Sequence, residues 1–224
     1  MYQNIILIPY RNREEHKLIF FNEVTKIFIK YLKPFKIIII EQLNNKDFNR
    51  AKLLNVGFNE FKNLGFYFFH HDIDIIPNEE TVSKLYINTD YDVLRIFNAH
   101  DISLGGIVKF KKDSFVKING LPNYIWGWGI EDRVFFYRSK IMKLNISENF
   151  SKKENFKFLN HKSNRSEFTG IKKKISDEED YIYNQETINN QINHINSNGL
   201  NNMTYKIISK KEINQFITLI QVDI

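Results

Sequence analysis

The octapeptide HHDIDIIP, residues 70–77, carries two carboxylates, Asp72 and Asp74, directly behind the apolar run GFYFF. Carboxylates one residue apart can serve a hard divalent cation and a nucleotide ribose together, because such cations favour carboxylate, phosphate and water oxygens. A solvated turn at a strand end is the alternative, and this motif alone does not decide between them. In IPYRNR (8–13), Arg11 and Arg13 suit bidentate binding of phosphate, and Tyr10 offers a ring for a base to stack on. Two exposed arginines on a loop are the plainer reading. NYIWGWGIEDR (123–133) holds both tryptophans of the chain, Trp126 and Trp128, either side of a glycine. Indole faces bind the apolar faces of sugar rings, with a core corner as the equal alternative. Glu131 and Asp132 fall at a helix start, where the dipole favours anions, and a carboxylate there is a candidate general base for a hydroxyl. His161, in FLNHKSN, reads by itself as a surface histidine.

These groups need a scaffold. Apolar, β-branched runs predict strands over 4–9, 36–42 and 66–74, separated by amphipathic helices over 14–32 and 47–65, the second stopped by Gly65. Buried strands alternating with helices predict a parallel α/β sheet. Ligands bind such sheets outside the carboxyl ends of the strands. Arg11, Arg13, Asp72 and Asp74 therefore share one rim, as a metal-plus-phosphate site would require. Alternation along the third strand sends His70, Asp72 and Asp74 one way and His71 the other. Further strands are expected over 91–97, 105–110, 204–208 and 217–223, and helices over 114–122, from Glu131, and over 177–196. The polar, basic stretch 143–175 is expected to be a mobile loop within a single domain spanning 1–224.

At 224 residues, 42% hydrophobic and 15% aromatic, the chain can bury a substantial core. Its net charge of +6 favours anionic partners, but the lysines are scattered and no nucleic-acid motif appears, which argues against a nucleic-acid-binding module. With no cysteine, disulfides and thiolate metal sites are excluded. No apolar stretch approaches the ~20 residues of a membrane-spanning helix, so a cytoplasmic protein is expected. The basic run 152–175 is a candidate for peripheral contact with an anionic membrane face. No obligate protein partner is implied.

Taken together, IPYRNREEH, FNRAKLLNVGF, HDIDIIP, GGIVKF, INGLPNYIWGWGIED and the terminal NSNGLNNMTYKII…ITLIQVDI stand in the order and spacing of the β-1,4-galactosyltransferase family, from Ile5 to Ile224. The resemblance is to a stand-alone catalytic domain of a bacterial or viral type. It implies a GT-A fold and an inverting, Mn²⁺-dependent transfer from a UDP-sugar to a glycan or glycolipid acceptor. Carried over, Pro9, Tyr10, Arg11, Arg13, Phe48 and Arg50 would line the nucleotide pocket, with Asp72 on the nucleotide side. Asp74 and His161 would ligate the metal. Trp128, Gly106 and Ser103 would face the sugar, Glu131 would bind acceptor hydroxyls, and Asp132 would be the base. Three departures stand out. Phe158 replaces a methionine ligand, leaving Asn160 or water in its place. Ile130 and Arg133 alter the W-G-W-G loop. Ser103 replaces a bulky tyrosine, which leaves room for the N-acetyl group of UDP-GalNAc. The alternatives are a chondroitin-polymerase or polypeptide GalNAc-transferase type of enzyme, or a non-catalytic sugar-binding domain.

Overall fold

The computed structural model describes residues 2–98, 100–127, 130–148, 151–160 and 193–224. Strand β1 (Asn4–Tyr10), helix α1 (Glu14–Tyr31), β2 (Phe35–Gln42), α2 (Arg50–Phe61) and β3 (Tyr67–His71) follow in the expected alternation. Strand β4 (Ile75–Pro77), α3 (Glu79–Thr81, running on as a π-helical turn Val82–Tyr86), β5 (Val93–Phe97), β6 (Ile107–Lys111), α4 (Lys112–Lys117) and α5 (Glu131–Ile141) come next. The described chain continues with β7 (Phe156–Phe158) and a closing pair, β8 (Lys206–Asn214) and β9 (Ile217–Asp223). Seven strands form one sheet in the order β5-β6-β3-β1-β2-β9-β8, and β4 and β7 pair separately. The four central strands run parallel, whereas β5, β6 and β8 join antiparallel.

Period-2 alternation divides the core between the two faces of the sheet. Ile5, Leu7, Ile38, Ile40 and Phe68 pack with Leu54 and Phe58 of α2 on one side. Ile6, Ile8, Ile37, Ile39 and Phe69 pack with Phe20, Val24 and Phe28 of α1 on the other. Helix α1 begins with Glu14 and Glu15 and ends with Lys30, the order its dipole favours.

The structure corrects several boundaries. Helix α2 begins at Arg50, not 47, because Asn49 caps it by accepting a hydrogen bond from Lys52 N at 2.8 Å. Strand β3 ends at His71, not 74. Asp72 N donates to Gly106 O at 3.1 Å and Ile75 N to Asp72 O at 3.3 Å, so both aspartates sit in a turn between β3 and β4. Within the stretch expected to be a loop, the described part instead holds a 3-10 turn at Lys153–Asn155 and strand β7, paired with β4. The helix expected over 177–196 falls almost wholly outside the described residues, as does His161.

The two histidines of β3 do part to opposite faces. His71 is held between the Asp72 carbonyl and the Tyr86 hydroxyl, at 2.9 and 2.8 Å. His70 is fully buried against Phe110, Phe115 and Phe135, and among the described residues neither ring nitrogen finds a hydrogen-bond partner. Burial, followed by the charge of Arg50, holds His70 well below the usual imidazole range. Burial brings His71 down to about 4. Both are therefore neutral when folded, and the unfolded chain binds the extra protons once the pH drops below about 6.5. Stability should fall from there toward pH 4 by about 1.4 kcal/mol per pH unit for each imidazole. His70→Leu should halve that slope and, by removing two unsatisfied polar atoms, stabilise the protein at pH 7 by about 1 kcal/mol or more. Urea unfolding at pH 5 and pH 7 reads both effects, and an unchanged slope would refute the assignment.

Candidate active site

The carboxyl ends of β1, β2 and β3 and the N-terminus of α2 meet at one rim, and Arg50 stands at their centre. Its Nε donates to Asp72 Oδ1 at 3.0 Å, and its Nη1 donates to Asp132 Oδ1 at 2.7 Å. The same Nη1 lies 3.9 Å from Glu131 Oε1. One guanidinium thus joins the turn after β3 to the first two residues of α5. Burial lowers the affinity of Arg50 for its proton, and Asp132, Asp72 and Glu131 more than reverse this, so it stays charged. For Asp132, burial raises the carboxyl above its usual range, Arg50 opposes that rise, and Glu131 and Asp72 add to it. The Asp132 side chain nonetheless keeps a third of its surface open to solvent, whereas Glu131 is almost enclosed at 9%. A carboxylate that is basic, solvent-reachable and oriented by a fixed cation is equipped to accept a proton.

Asp74, the other aspartate of the turn, pairs with Arg13, Nη1 to Oδ2 at 3.3 Å. Its carbonyl accepts from Leu159 N at 2.8 Å, and Asn160 O lies 3.2 Å from His16 Nε2. Each aspartate of the turn thus has an arginine partner, Asp72 with Arg50 and Asp74 with Arg13. Among the described residues no three histidine, aspartate or glutamate side chains assemble as a cation site. Asp74 is an oxygen donor of the right kind for a hard cation, and the described chain beside it stops one residue short of His161. The residues fit such a cation through Asp74, with its expected second ligand outside the described part.

Beside this network a cavity of about 400 Å³ is lined by Arg11, Asn12, Glu41, Gln42, Asn44 and Lys46, a volume within the range of small-ligand sites. The Arg11 guanidinium lies 5.4 Å from the centre of the Phe48 ring and donates to Lys46 O at 2.6 Å. Two expectations for this pocket do not hold as stated. Tyr10 is buried, donating to Glu14 Oε1 at 2.6 Å and accepting from Arg13 N, so its ring is not open to a base. Pro9 is buried within β1, opposite Ile40. Phe48, partly buried, is the ring that faces Arg11 of the cavity lining.

The tryptophan loop is brought over the rim by Gly127 N, which donates to Phe48 O at 2.8 Å, and Lys46 Nζ sits 5.3 Å from the Trp126 ring. Trp128 lies outside the described residues. Ile130 caps α5 at φ 65°, a left-handed backbone that a β-branched residue adopts at a cost. Ser103 is buried, its hydroxyl donating to Asn98 Oδ1 at 2.8 Å. Gly106, at φ +69°, leaves no room for a side chain beside the Phe97 ring.

Sequence reasoning passed over an asparagine scaffold that holds these loops. Asn49 Nδ2 donates to Asn123 O at 2.8 Å, Asn55 Nδ2 to Leu121 O at 2.6 Å, and Asn123 N to Asn198 Oδ1 at 2.7 Å. The position of Asn49 directly before a helix was the one legible signal. Arg50→Met should cost about 3–5 kcal/mol at pH 8, because it strands three neighbouring carboxylates. Protonation relieves that repulsion, so the loss should shrink toward pH 5; chemical denaturation at both values checks it. Ile130→Gly should gain about 0.5–1 kcal/mol in the same assay, as the relief of left-handed strain outweighs glycine's entropy.

Comparison with known proteins bears on the fold and the family. Residues 1–87 match the N-terminal region of glycosyl transferase group 7, and residues 93–162 match the N-terminal domain of galactosyltransferase. The chain is 33% identical over 153 residues to mouse β-1,4-galactosyltransferase 4, covering 63% of this chain and 44% of that protein. It is 28% identical over 218 residues to Drosophila β-1,4-galactosyltransferase 7, covering 93% of this chain and 64% of that one. It therefore spans roughly half to two thirds of the length of these relatives. The crystal structure of the Drosophila catalytic domain with xylobiose superposes at a TM-score of 0.75 and 25% identity, covering 100% of this chain and 94% of that one. A mutant of the same protein, in complex with manganese, UDP-Gal and xylobiose, gives 0.77 at 24% identity, with the same coverage. On these matches, and with a GT-A sheet carrying the expected motifs, the chain belongs to the β-1,4-galactosyltransferase family.

Proposed function

We propose that the protein transfers galactose or N-acetylgalactosamine from a UDP-sugar to a glycan hydroxyl, with inversion at the anomeric carbon. The observation that carries this reading is the Arg50 bridge, which holds Asp132, the one solvent-reachable carboxylate of α5's start, in register with the donor-side Asp72. The acceptor oxygen attacks the anomeric carbon from the face opposite the nucleotide. Its proton passes to Asp132, the carbon–oxygen bond to the diphosphate breaks, and UDP leaves. Glu131 would hold acceptor hydroxyls, and Arg11, Phe48 and the neighbouring cavity would receive the nucleotide. The complexes of the Drosophila relative with UDP-Gal and with xylobiose support a UDP-hexose donor and a pyranose acceptor. The choice of galactose or its N-acetyl derivative is left to the donor pocket, where Ser103 in place of a bulkier residue favours the larger sugar.

Asp74 and His161 would hold Mn²⁺, and the manganese complex of the relative supports that choice. When bound, a divalent ion stabilises the charge developing on the diphosphate leaving group. The β-linkage to a 4-hydroxyl follows the family and is part of the same proposal.

Calorimetry of UDP binding with and without Mn²⁺, on the wild type and on Asp74→Ala, tests the donor site. Metal-dependent binding in the wild type and its loss in the variant are expected. Transfer assays with UDP-Gal and UDP-GalNAc onto xylobiose test the reaction. Asp132→Asn should lower turnover by about 10²–10⁴-fold while UDP affinity stays near wild type. No UDP binding under either condition would overturn the proposal.

A further inference from the structure

We infer that Gly105 is a positioning residue for the general base: the absence of a side chain at 105 creates the slot that the Asp132 carboxylate occupies. The inference rests on the proposed role of Asp132, but the slot itself is a matter of geometry. A Cβ built on Gly105 would lie 2.7 Å from Asp132 Cγ and closer still to Oδ2, and the three atoms nearest to it all belong to Asp132. Real Cβ atoms do not approach another heavy atom that closely, so something must move.

The backbone does not explain this glycine. Gly106, its neighbour, has φ +69° and needs glycine for conformational reasons, whereas Gly105 lies outside the left-handed region. Alanine could adopt the backbone of residue 105, and the obstacle to it is the carboxylate of Asp132.

The loop cannot back away to make room. Leu104 N donates to Asp132 O at 2.9 Å, tying the loop to the start of α5, and Gly105 N donates to Asn98 Oδ1 at 3.2 Å. Asn98, itself buried, also accepts from the Ser103 hydroxyl and donates to the Ser103 carbonyl. The movable partner is therefore the end of the Asp132 side chain. Turning it away from a methyl at 105 pulls Oδ1 off Arg50 Nη1, its 2.7 Å partner. The slot thus works from one side and Arg50 from the other, and together they leave the carboxylate a single place to stand.

The test is a double-mutant cycle on the full chain: wild type, Gly105→Ala, Asp132→Gly, and both together. Gly105→Ala should lower turnover at least about 10²-fold, while UDP affinity by calorimetry stays within about 3-fold, since the nucleotide cavity is not touched. In thermal melts Gly105→Ala should cost about 2–4 °C or more in the wild-type background, and under about 1 °C once Asp132 has lost its side chain. Equal cost in both backgrounds, failure to fold in both, or wild-type turnover in Gly105→Ala would each overturn the inference. If the wild type transfers no sugar, the proposed function fails, and the melting cycle still decides whether position 105 and Asp132 are coupled.

Discussion

A single largely enclosed guanidinium facing three carboxylates is the interaction on which the site depends. Arg50 is donated by the first turn of α2, Asp72 by the turn after β3, and Glu131 and Asp132 by the first turn of α5. Enclosing any of these charges alone would be costly, and removing one partner leaves the others uncompensated. The network is therefore close to all-or-none. It also gives the carboxylates different roles: Glu131 is enclosed, while Asp132 retains access to solvent. Glu131 and Asp132 lie in the first turn of α5, where the positive end of the helix dipole offsets part of the repulsion between them.

Everything around the network fixes where the four groups stand. The central parallel strands carry β1, β2 and β3 to the same edge, and the two-sided core locks α2 onto one face through Leu54 and Phe58. Asn49 caps α2 and reaches Asn123, so the helix that presents Arg50 and the loop that leads to α5 are tied by a direct hydrogen bond. Asn123 in turn is tied to Asn198, which draws the C-terminal segment into the same scaffold. Buried Arg138 adds a second tie, donating to Gly120 O at 2.9 Å and Asn198 O at 2.8 Å. Side-chain amides suit this work because each carries donors and an acceptor and can satisfy two loop backbones at once.

Much of this is legible in the sequence alone. The apolar blocks and their alternation identify β1, β2 and β3, the helices between them and the division of His70 and His71 between faces, because burial on both sides of a parallel strand leaves a strong pattern. The D-x-D turn, the arginines after β1 and the acidic start of α5 mark the site, because charges placed next to apolar runs need partners. Less legible were element ends. The turn that takes Asp72 and Asp74 out of β3 depends on a hydrogen bond from Asp72 N to Gly106 O, far along the chain. Tyr10 shows the same limit: its type suggested a stacking surface, yet its hydroxyl is committed to Glu14 and its ring to the core.

By itself, the sequence determined the α/β class, the family and the cast of charged residues, since these follow from periodicity, order and residue type. Tertiary structure decided how those residues are paired. Nothing in the spacing of Arg50, Asp72 and Asp132, separated by 22 and 82 positions from the arginine, says that they form one ion network. Nor does it say that Gly105 stands against the Asp132 carboxylate while Gly106 serves the backbone. Pairing and close approach are properties of distances between remote segments, and those distances exist only once the two faces of the sheet have been packed.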